Sequence, residues 1–353
     1  MDNLLNYELI ELNDIVSGLG EKSFRAGQVF GWLAKGVASF DEMRNVPAAL
    51  RQRLSEQYYI GLPAVVAVQR SAEDGTVKCL FEYAGPNDGA VAVRIESVLM
   101  RYEYGNSICI SSQAGCRMGC RFCASTRNGL VRNLTAGEML GQVLAMRNLL
   151  RETDPAADIR HIVVMGMGEP FDNYDELSRF LRIVHDPKGY NLGMRNITVS
   201  TCGIVPMIGR FAEDFPQVNV AISLHAPNDA VRRETMPIAR KYSMEELLNA
   251  CANYAERTGR RVTFEYALIR GVNDGADQAA ELATMLKKHI PAQFLHVNLI
   301  PLNSVDGTGL AGTDRAAAES FCSVLEKRGV QATVRRTLGS DIDAACGQLR
   351  SRY

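Results

Sequence analysis

Hydrophobic positions in the first sixty residues follow a helical period. Phe24, Val29, Phe30, Trp32 and Leu33 cluster at mixed three- and four-residue spacing, and Phe40, Met43, Val46, Leu50 and Leu54 continue the pattern. Pro47 predicts the start of a helix, PAALRQRLSEQ, at its first turn. The pattern then changes to alternation in PAVVAVQR, TVKCLFEYA and AVAVRIESVLM, separated by EDG and GPNDG turns, which predicts a small β meander over 64–100. Beyond it, strand-like runs at 107–112, 161–167, 196–201, 218–224, 262–269 and 296–302 are mostly separated by helical patterns, with a last run at 330–336. Two of the helices carry capping boxes, Thr135 with Glu138 and Ser243 with Glu246.

Six strands alternating with helices imply an α/β fold with a parallel sheet, either doubly wound or curled toward a barrel. The expected organisation is a helical accessory module over 1–62, a meander linker over 63–100 and a core over 101–353. Ligands in such folds collect at the carboxyl ends of the strands. Cys116, Cys120 and Cys123 follow the first strand, Gly166 to Pro170 the second, Ser200 to Gly203 the third, Ser223 to His225 the fourth and Pro301 to Asn303 the sixth. Polar or glycine-rich termini at five strand ends point to one site.

Composition narrows the class. The chain has 353 residues, 46% hydrophobic and 22% charged, with a net charge of −1, which excludes a disordered chain. No apolar run approaches the roughly 20 residues of a membrane span, and the acidic N-terminus is unlike a signal or transit peptide. A cytoplasmic protein without membrane contact is expected. Its nine cysteines then read as reduced thiols for metal binding or catalysis. Charge is locally uneven. Arg117, Arg121, Arg127 and Arg132 fall in a stretch without acids, and Cys322 to Tyr353 holds six Lys/Arg against three acids. Such runs are either solvated faces or a surface for a polyanion.

The loop GCRMGCRFCAST carries a C-x3-C-x2-C pattern. Zinc would require a fourth, distant ligand such as His161. Three thiolates on a short loop better suit a [4Fe–4S] cluster with one open iron. Placed after the first strand of an α/β barrel, the pattern resembles the radical S-adenosylmethionine (SAM) superfamily, and Gly168-Glu169-Pro170 resembles its second-strand motif. The resemblance implies a partial (β/α)6 barrel whose open iron binds SAM and whose reduced cluster cleaves it to a 5′-deoxyadenosyl radical.

Two further cysteines refine this. Cys109, in SICISSQAGC, and Cys346, in GSDIDAACGQL, read by themselves as small buried hydrophobes, less convincingly so for the glycine-flanked Cys346. Together with FRAGQVFGWL, RNLTAGEMLGQV, VVMGMGEP, SLHAPND and VNLIPLN, these segments resemble the RlmN/Cfr family, over nearly the whole chain. The resemblance implies methylation of an adenine carbon in 23S rRNA, with a tRNA anticodon-loop adenine as a second substrate in the C2-directed members. The segments look closer to those members than to the C8-directed resistance enzymes, which stand as the enzymatic alternative. A non-catalytic, zinc-containing RNA-binding protein is the alternative of another class.

The same resemblance assigns roles. Cys346 carries the methyl group as S-methylcysteine, Glu96 accepts the ring proton, and Cys109 resolves the adduct through a transient disulfide with Cys346. Cys116, Cys120 and Cys123 hold the cluster. Gly168, Glu169, Ser200, Ser223, Leu224, His225 and Asn303 contact SAM. An electron donor for the cluster and a monomeric state are also expected. Read without the family, Glu96 is a surface strand residue paired with Arg94 or Arg101, His225 is a satisfied core histidine, and Phe24 and Trp32 belong to the helical core. Cys79, Cys202, Cys251 and Cys322 are expected to be packing residues.

Overall fold

The computed structural model describes residues 1–84, 91–303, 308–342, 344 and 348. Strand β1 (Asp2–Asn3), helices α1 (Leu9–Gly18), α2 (Phe24–Ala34) and α3 (Ala48–Gln57), and strand β2 (Tyr58–Tyr59) come first, with β1 and β2 paired in parallel. Leu12 and Val16, then Ala26, Val29, Phe30 and Leu33, then Leu50 and Leu54 are the buried stripes of the three helices. Pro47 is the N-cap of α3. Phe24 departs from the expected core, because it opens α2 at 55% exposure with Arg25 over its ring. Trp32 is half-buried under Lys35.

The meander comprises β3 (Ala64–Arg70), β4 (Val77–Tyr83) and β5 (Val93–Tyr102), which leads antiparallel into β6 (Gly105–Ile110). A two-stranded ribbon, β7 (Gln113–Gly115) and β8 (Leu130–Asn133), brackets the cysteine loop before α4 (Ala136–Arg151). Alternation then follows through β9 (Ile159–Val164), α5 (Tyr174–His185), β10 (Ile197–Thr201), α6 (Val205–Asp214), β11 (Asn219–Ser223), α7 (Asp229–Thr235), α8 (Met244–Thr258), β12 (Val262–Leu268), α9 (Ala276–His289), β13 (Leu295–Pro301), α10 (Arg315–Lys327) and β14 (Ala332–Val334). Among the described residues, all fourteen strands except β1, β2, β7 and β8 form a single sheet, in the order β14-β13-β12-β11-β10-β9-β6-β5-β4-β3.

The parallel strands β6 and β9 to β14 lie side by side in chain order. A doubly wound sheet reverses its order at a switch point, and this one does not, so it is a barrel-type sheet. It is left open, with the antiparallel meander continuing the same sheet at one side. Strand alternation sorts its faces. Ile162, Val164, Ile197, Val199, Val220, Ile222, Val262, Phe264, Val297 and Leu299 are buried in one continuous core. Ser200, Ser223 and Glu265, at the alternate positions, line the cavity.

Helix α4 is buried almost all round, down to Glu138, Gln142 and Arg147, because it is covered on two sides. Gln142 bonds both Ser97 Oγ (2.7 Å) and the Ser111 backbone in the sheet. From the opposite side, Asn6 Oδ1 accepts the Gly137 N–H (2.7 Å), and Arg179 and Arg182 of α5 pair with Glu11 and Glu8. The N-terminal helices therefore share one hydrophobic core with the sheet.

Candidate active site

The cysteine loop is fixed by its ends. Gly115 has φ +79°, and a β-carbon there would fall 2.0 Å from the Gly129 carbonyl oxygen, which accepts the Cys116 N–H at 3.0 Å. Only glycine fits that approach. Thr126 Oγ1 donates to the carbonyls of Cys120 (3.2 Å) and Cys123 (3.0 Å), and the Arg121 N–H donates to the Thr235 carbonyl (2.9 Å) at the end of α7. All three cysteines line one cavity at the carboxyl ends of the parallel strands. Burial pushes the Cys116 thiol up to about 12 and raises that of Cys120 as well. Ligation to metal is the chemistry that stabilises such thiols as thiolates.

The donor set fits a cluster. Among the described residues no three His, Cys, Asp or Glu side chains converge as the ligands of a single ion do. Thiolates bound to different irons of one cluster have no need to converge so closely. His161, the proposed distant zinc ligand, packs on Tyr104 near the start of β9, at the other end of the strands from the cysteines.

The remaining strand ends complete the cavity. Gly168 has φ +106°, and a β-carbon would meet Gln113 at 2.6 Å, so the Gly166–Glu169 segment lies flat against the end of β6. Glu169 is buried, and its oxygens accept the N–H groups of Phe171 (3.0 Å) and Cys202 (2.7 Å). Burial raises its pKa against those bonds. The Thr201 and Cys202 side chains bond it as well, so the carboxylate is held on several sides at the end of β10. Ser200, Ser223, His225 and Asn303 stand in the same wall. His225 has a positive φ of 55°, and its Nδ1 accepts the Ala267 N–H at 2.8 Å, which puts the ring proton on Nε2. Burial, with Arg232 nearby, lowers its pKa to about 3, so the ring is neutral. It is at once a satisfied histidine and a cavity residue, with Phe122 edge-on at 4.9 Å. Leu224 differs: its side chain is fully buried, and its N–H and carbonyl are taken by Glu265 and Arg232.

A second cavity adjoins the first and shares Met165, Ile300 and Asn303 with it. Cys109 lines it with Val98, Met100, Arg335 and Ala344. The C-terminal segment reaches this wall by way of the β3–β4 turn, where Asp74 Oδ2 accepts the Gly339 N–H (2.8 Å) and Asp341 Oδ2 accepts the Ala72 N–H (3.1 Å). Ala344 precedes Cys346 by two residues, and Cys346 itself lies outside the described residues.

Glu96 corrects one expectation. It is not a surface residue paired with an arginine: it is 4% exposed and pairs with Lys78 Nζ at 3.6 Å, whereas Arg94 pairs with Glu82. Its neighbour but one on β5, Val98, faces Cys109 across the strand pair. The arginine stretch is also less open than its charge suggests. Arg117 pairs with Asp172 and Arg132 with Glu138, while Arg121 and Arg127 are exposed. Two cavity residues were given no role from the sequence. Cys202, expected only to pack, lines the cavity beside Cys120 and Phe122. Glu265 lines it too, bonded by Asn298 and paired with Arg335 at 3.8 Å. An acid within the apolar run VTFEYALI was the available clue.

Comparison with known proteins agrees with this architecture. Residues 110–283 match the model of the radical SAM superfamily, and residues 2–60 match the ribosomal RNA large subunit methyltransferase N-terminal domain. The chain is 49% identical over its full length to the probable dual-specificity RNA methyltransferase RlmN of Clostridium tetani, covering 97% of that protein. It is 50% identical, again over its full length, to the protein of the same name from Clostridium perfringens strain 13, covering 98% of it. The crystal structure of a radical SAM methyltransferase from Sphaerobacter thermophilus superposes with a TM-score of 0.92 at 43% identity, with 99% of each chain covered. With three cysteines at the end of the first parallel strand of an open barrel, the chain belongs to the RlmN family of radical SAM RNA methyltransferases, enzymes that use SAM and a [4Fe–4S] cluster.

Proposed function

We propose that this protein methylates C2 of a specific adenine in 23S rRNA, and an anticodon-loop adenine of tRNA, with Cys346 as the methyl carrier. The observation that carries the reading is the shared wall of the two cavities, since Met165, Ile300 and Asn303 border both the cysteine-loop chamber and the chamber of Cys109. The approach of Ala344 to the second chamber supports Cys109 and Cys346 as a working pair.

Cluster and SAM, when bound, supply the methyl group and the one-electron chemistry that activates it. Cys116, Cys120 and Cys123 would hold the cluster. Gly168 and Glu169, with Ser200, Ser223, His225 and Asn303, would hold SAM, and Nε2 of the neutral His225 is a donor facing that cavity. Leu224 contributes by setting the backbone beside them. The carrier is needed because adenine C2, between two ring nitrogens, is too electron-poor to take a methyl group by direct displacement. The Cys346 thiolate takes it first, displacing it from the sulfonium; the cofactors, when bound, would accept one hydrogen atom from the S-methyl carbon and one electron from its ring adduct, so that the carbon is joined to the ring while still bound to sulfur. Glu96 accepts the ring proton. Cys109 thiolate attacks the Cys346 sulfur, the carbon–sulfur electron pair stays with carbon, which takes up a proton, and a Cys109–Cys346 disulfide forms for external thiols to reduce.

The substrate base has to leave its stack to meet these groups. In this reading, residues 1–62 dock the RNA, residues 63–100 join that module to the core over 101–353, and exposed Phe24 with Arg25 over its ring suits base stacking. Arg121 and Arg127 suit phosphate contacts at the mouth. No helix among the described residues is long and apolar enough to cross a membrane. We place the protein in the cytoplasm, acting as a monomer with a low-potential one-electron donor. Nucleoside analysis of rRNA and tRNA after anaerobic turnover tests the reading. Methyl groups at adenine C2 in both RNAs are expected, and methylation at C8 would overturn the assignment.

A further inference from the structure

Arg232 takes no part in the steps above, yet it is fully buried at 0% exposure. It stands on α7, the helix whose terminal Thr235 carbonyl holds the cysteine loop through the Arg121 N–H. Its Nε donates to the Leu224 carbonyl (3.3 Å), and its Nη2 donates to the Cys202 carbonyl (2.7 Å) and, more loosely, to that of Ser223 (3.4 Å). One guanidinium thus ties the ends of β10 and β11 to the helix on which the cysteine loop rests. Its second amino group, Nη1, is buried without a hydrogen-bond partner. Among the described residues no carboxylate lies within ion-pair distance of it.

A buried cation in that condition is unfavourable unless an anion joins it. Fastening carbonyls requires donors but no net charge, so the staple alone does not explain an arginine. The link to the cysteine loop is Cys202, whose carbonyl accepts from Nη2. Cys202 and Cys120 sit together with Phe122 and Met236 in a small apolar cluster in the cavity wall. An iron–sulfur cluster on three thiolates carries net negative charge, which grows when it is reduced, and nearby charge sets its potential.

We propose that Arg232 is a positioning residue for the cluster whose buried, incompletely bonded guanidinium compensates the charge on the Cys120 side and so raises the cluster's reduction potential. The inference rests on the family's cofactor, and the test separates the two. Wild-type protein, Arg232→Lys, Arg232→Gln and Cys251→Asp are reconstituted anaerobically, iron and sulfide are counted, and each cluster potential is read by EPR-monitored redox titration. Cys251 is fully buried on α8 within electrostatic range of Arg232, so an aspartate there opposes the charge without removing the guanidinium.

Arg232→Gln and Cys251→Asp are expected to lower the reduced-to-oxidised ratio at fixed potential about tenfold, equivalent to about 59 mV for a one-electron couple. Arg232→Lys keeps most of the wild-type value. Equal potentials in all four proteins, or a lysine variant shifted as far as the glutamine one, overturn the charge role and leave a hydrogen-bonding staple. Should one charge-removing variant fail to fold, the other decides. A wild-type protein that binds no cluster would instead sink the cofactor assignment.

Discussion

At the scale of single residues, the site depends on groups held in charge states that water would not favour. His225 is the clearest case. Its imidazole titrates near 6.5 when unfolded, but burial, with a contribution from Arg232, holds it at about 3 in the fold. As pH falls, the unfolded chain takes the proton first, so stability present above pH 6.5 is lost between there and pH 3, by up to about 1.4 kcal/mol per pH unit. Urea unfolding of apoprotein from pH 6.5 to 4.5 should therefore show wild type losing stability more steeply than His225→Gln; parallel curves would contradict the assignment. Residue roles were unevenly legible in the sequence. His225 and Glu169 stood out because they sit in motifs at strand ends. Lys78, Glu265 and Arg232 did not, since each is a charged residue whose meaning comes from a partner on another strand or loop. Glu96 was misplaced on the surface without the family resemblance, because alternation along β5 does not reveal that the meander buries both faces of that strand.

Elements were easier to read than their junctions. The strand runs and both capping boxes were visible because period-two and period-3.6 patterns are local. That the meander continues the barrel sheet was not visible, since strand pairing across β5 and β6 depends on the whole fold. One junction joins α4 to the cysteine ribbon. Glu138 accepts the Thr135 N–H (2.9 Å) in the capping box and binds Arg132 of β8 through both oxygens, at 2.8 and 2.7 Å. Both side chains are largely buried. Removing one partner of such a pair costs about 3–5 kcal/mol. Glu138→Ala should lose stability of that order in denaturant melts and, because β8 closes the cysteine loop, release iron faster to a chelator. Wild-type iron retention in a destabilised protein would show that the ribbon is held by other contacts.

At the scale of the whole molecule, the N-terminal helices and the sheet are two sides of one core, with α4 between them. A chain beginning at residue 63 would expose that helix's outer face and leave Arg147 without the Ala34 carbonyl it bonds. Such a truncation should aggregate, and a monodisperse, cooperatively melting fragment would contradict the shared core. Helical periodicity marked the module but could not tell a separable domain from a layer of a common core, because that depends on what covers α4. The central claim, however, is chemical: the sulfur of Cys346 carries the one-carbon unit. It is tested by a pulse of SAM with an isotopically labelled methyl group, followed by mass analysis of the Cys346 peptide and of the RNA. The label should be found first as a methyl thioether on Cys346 and then, after RNA is added, on adenine C2. Labelled adenine formed while Cys346 stays unmodified, or at an undiminished rate in Cys346→Ala, would contradict the account.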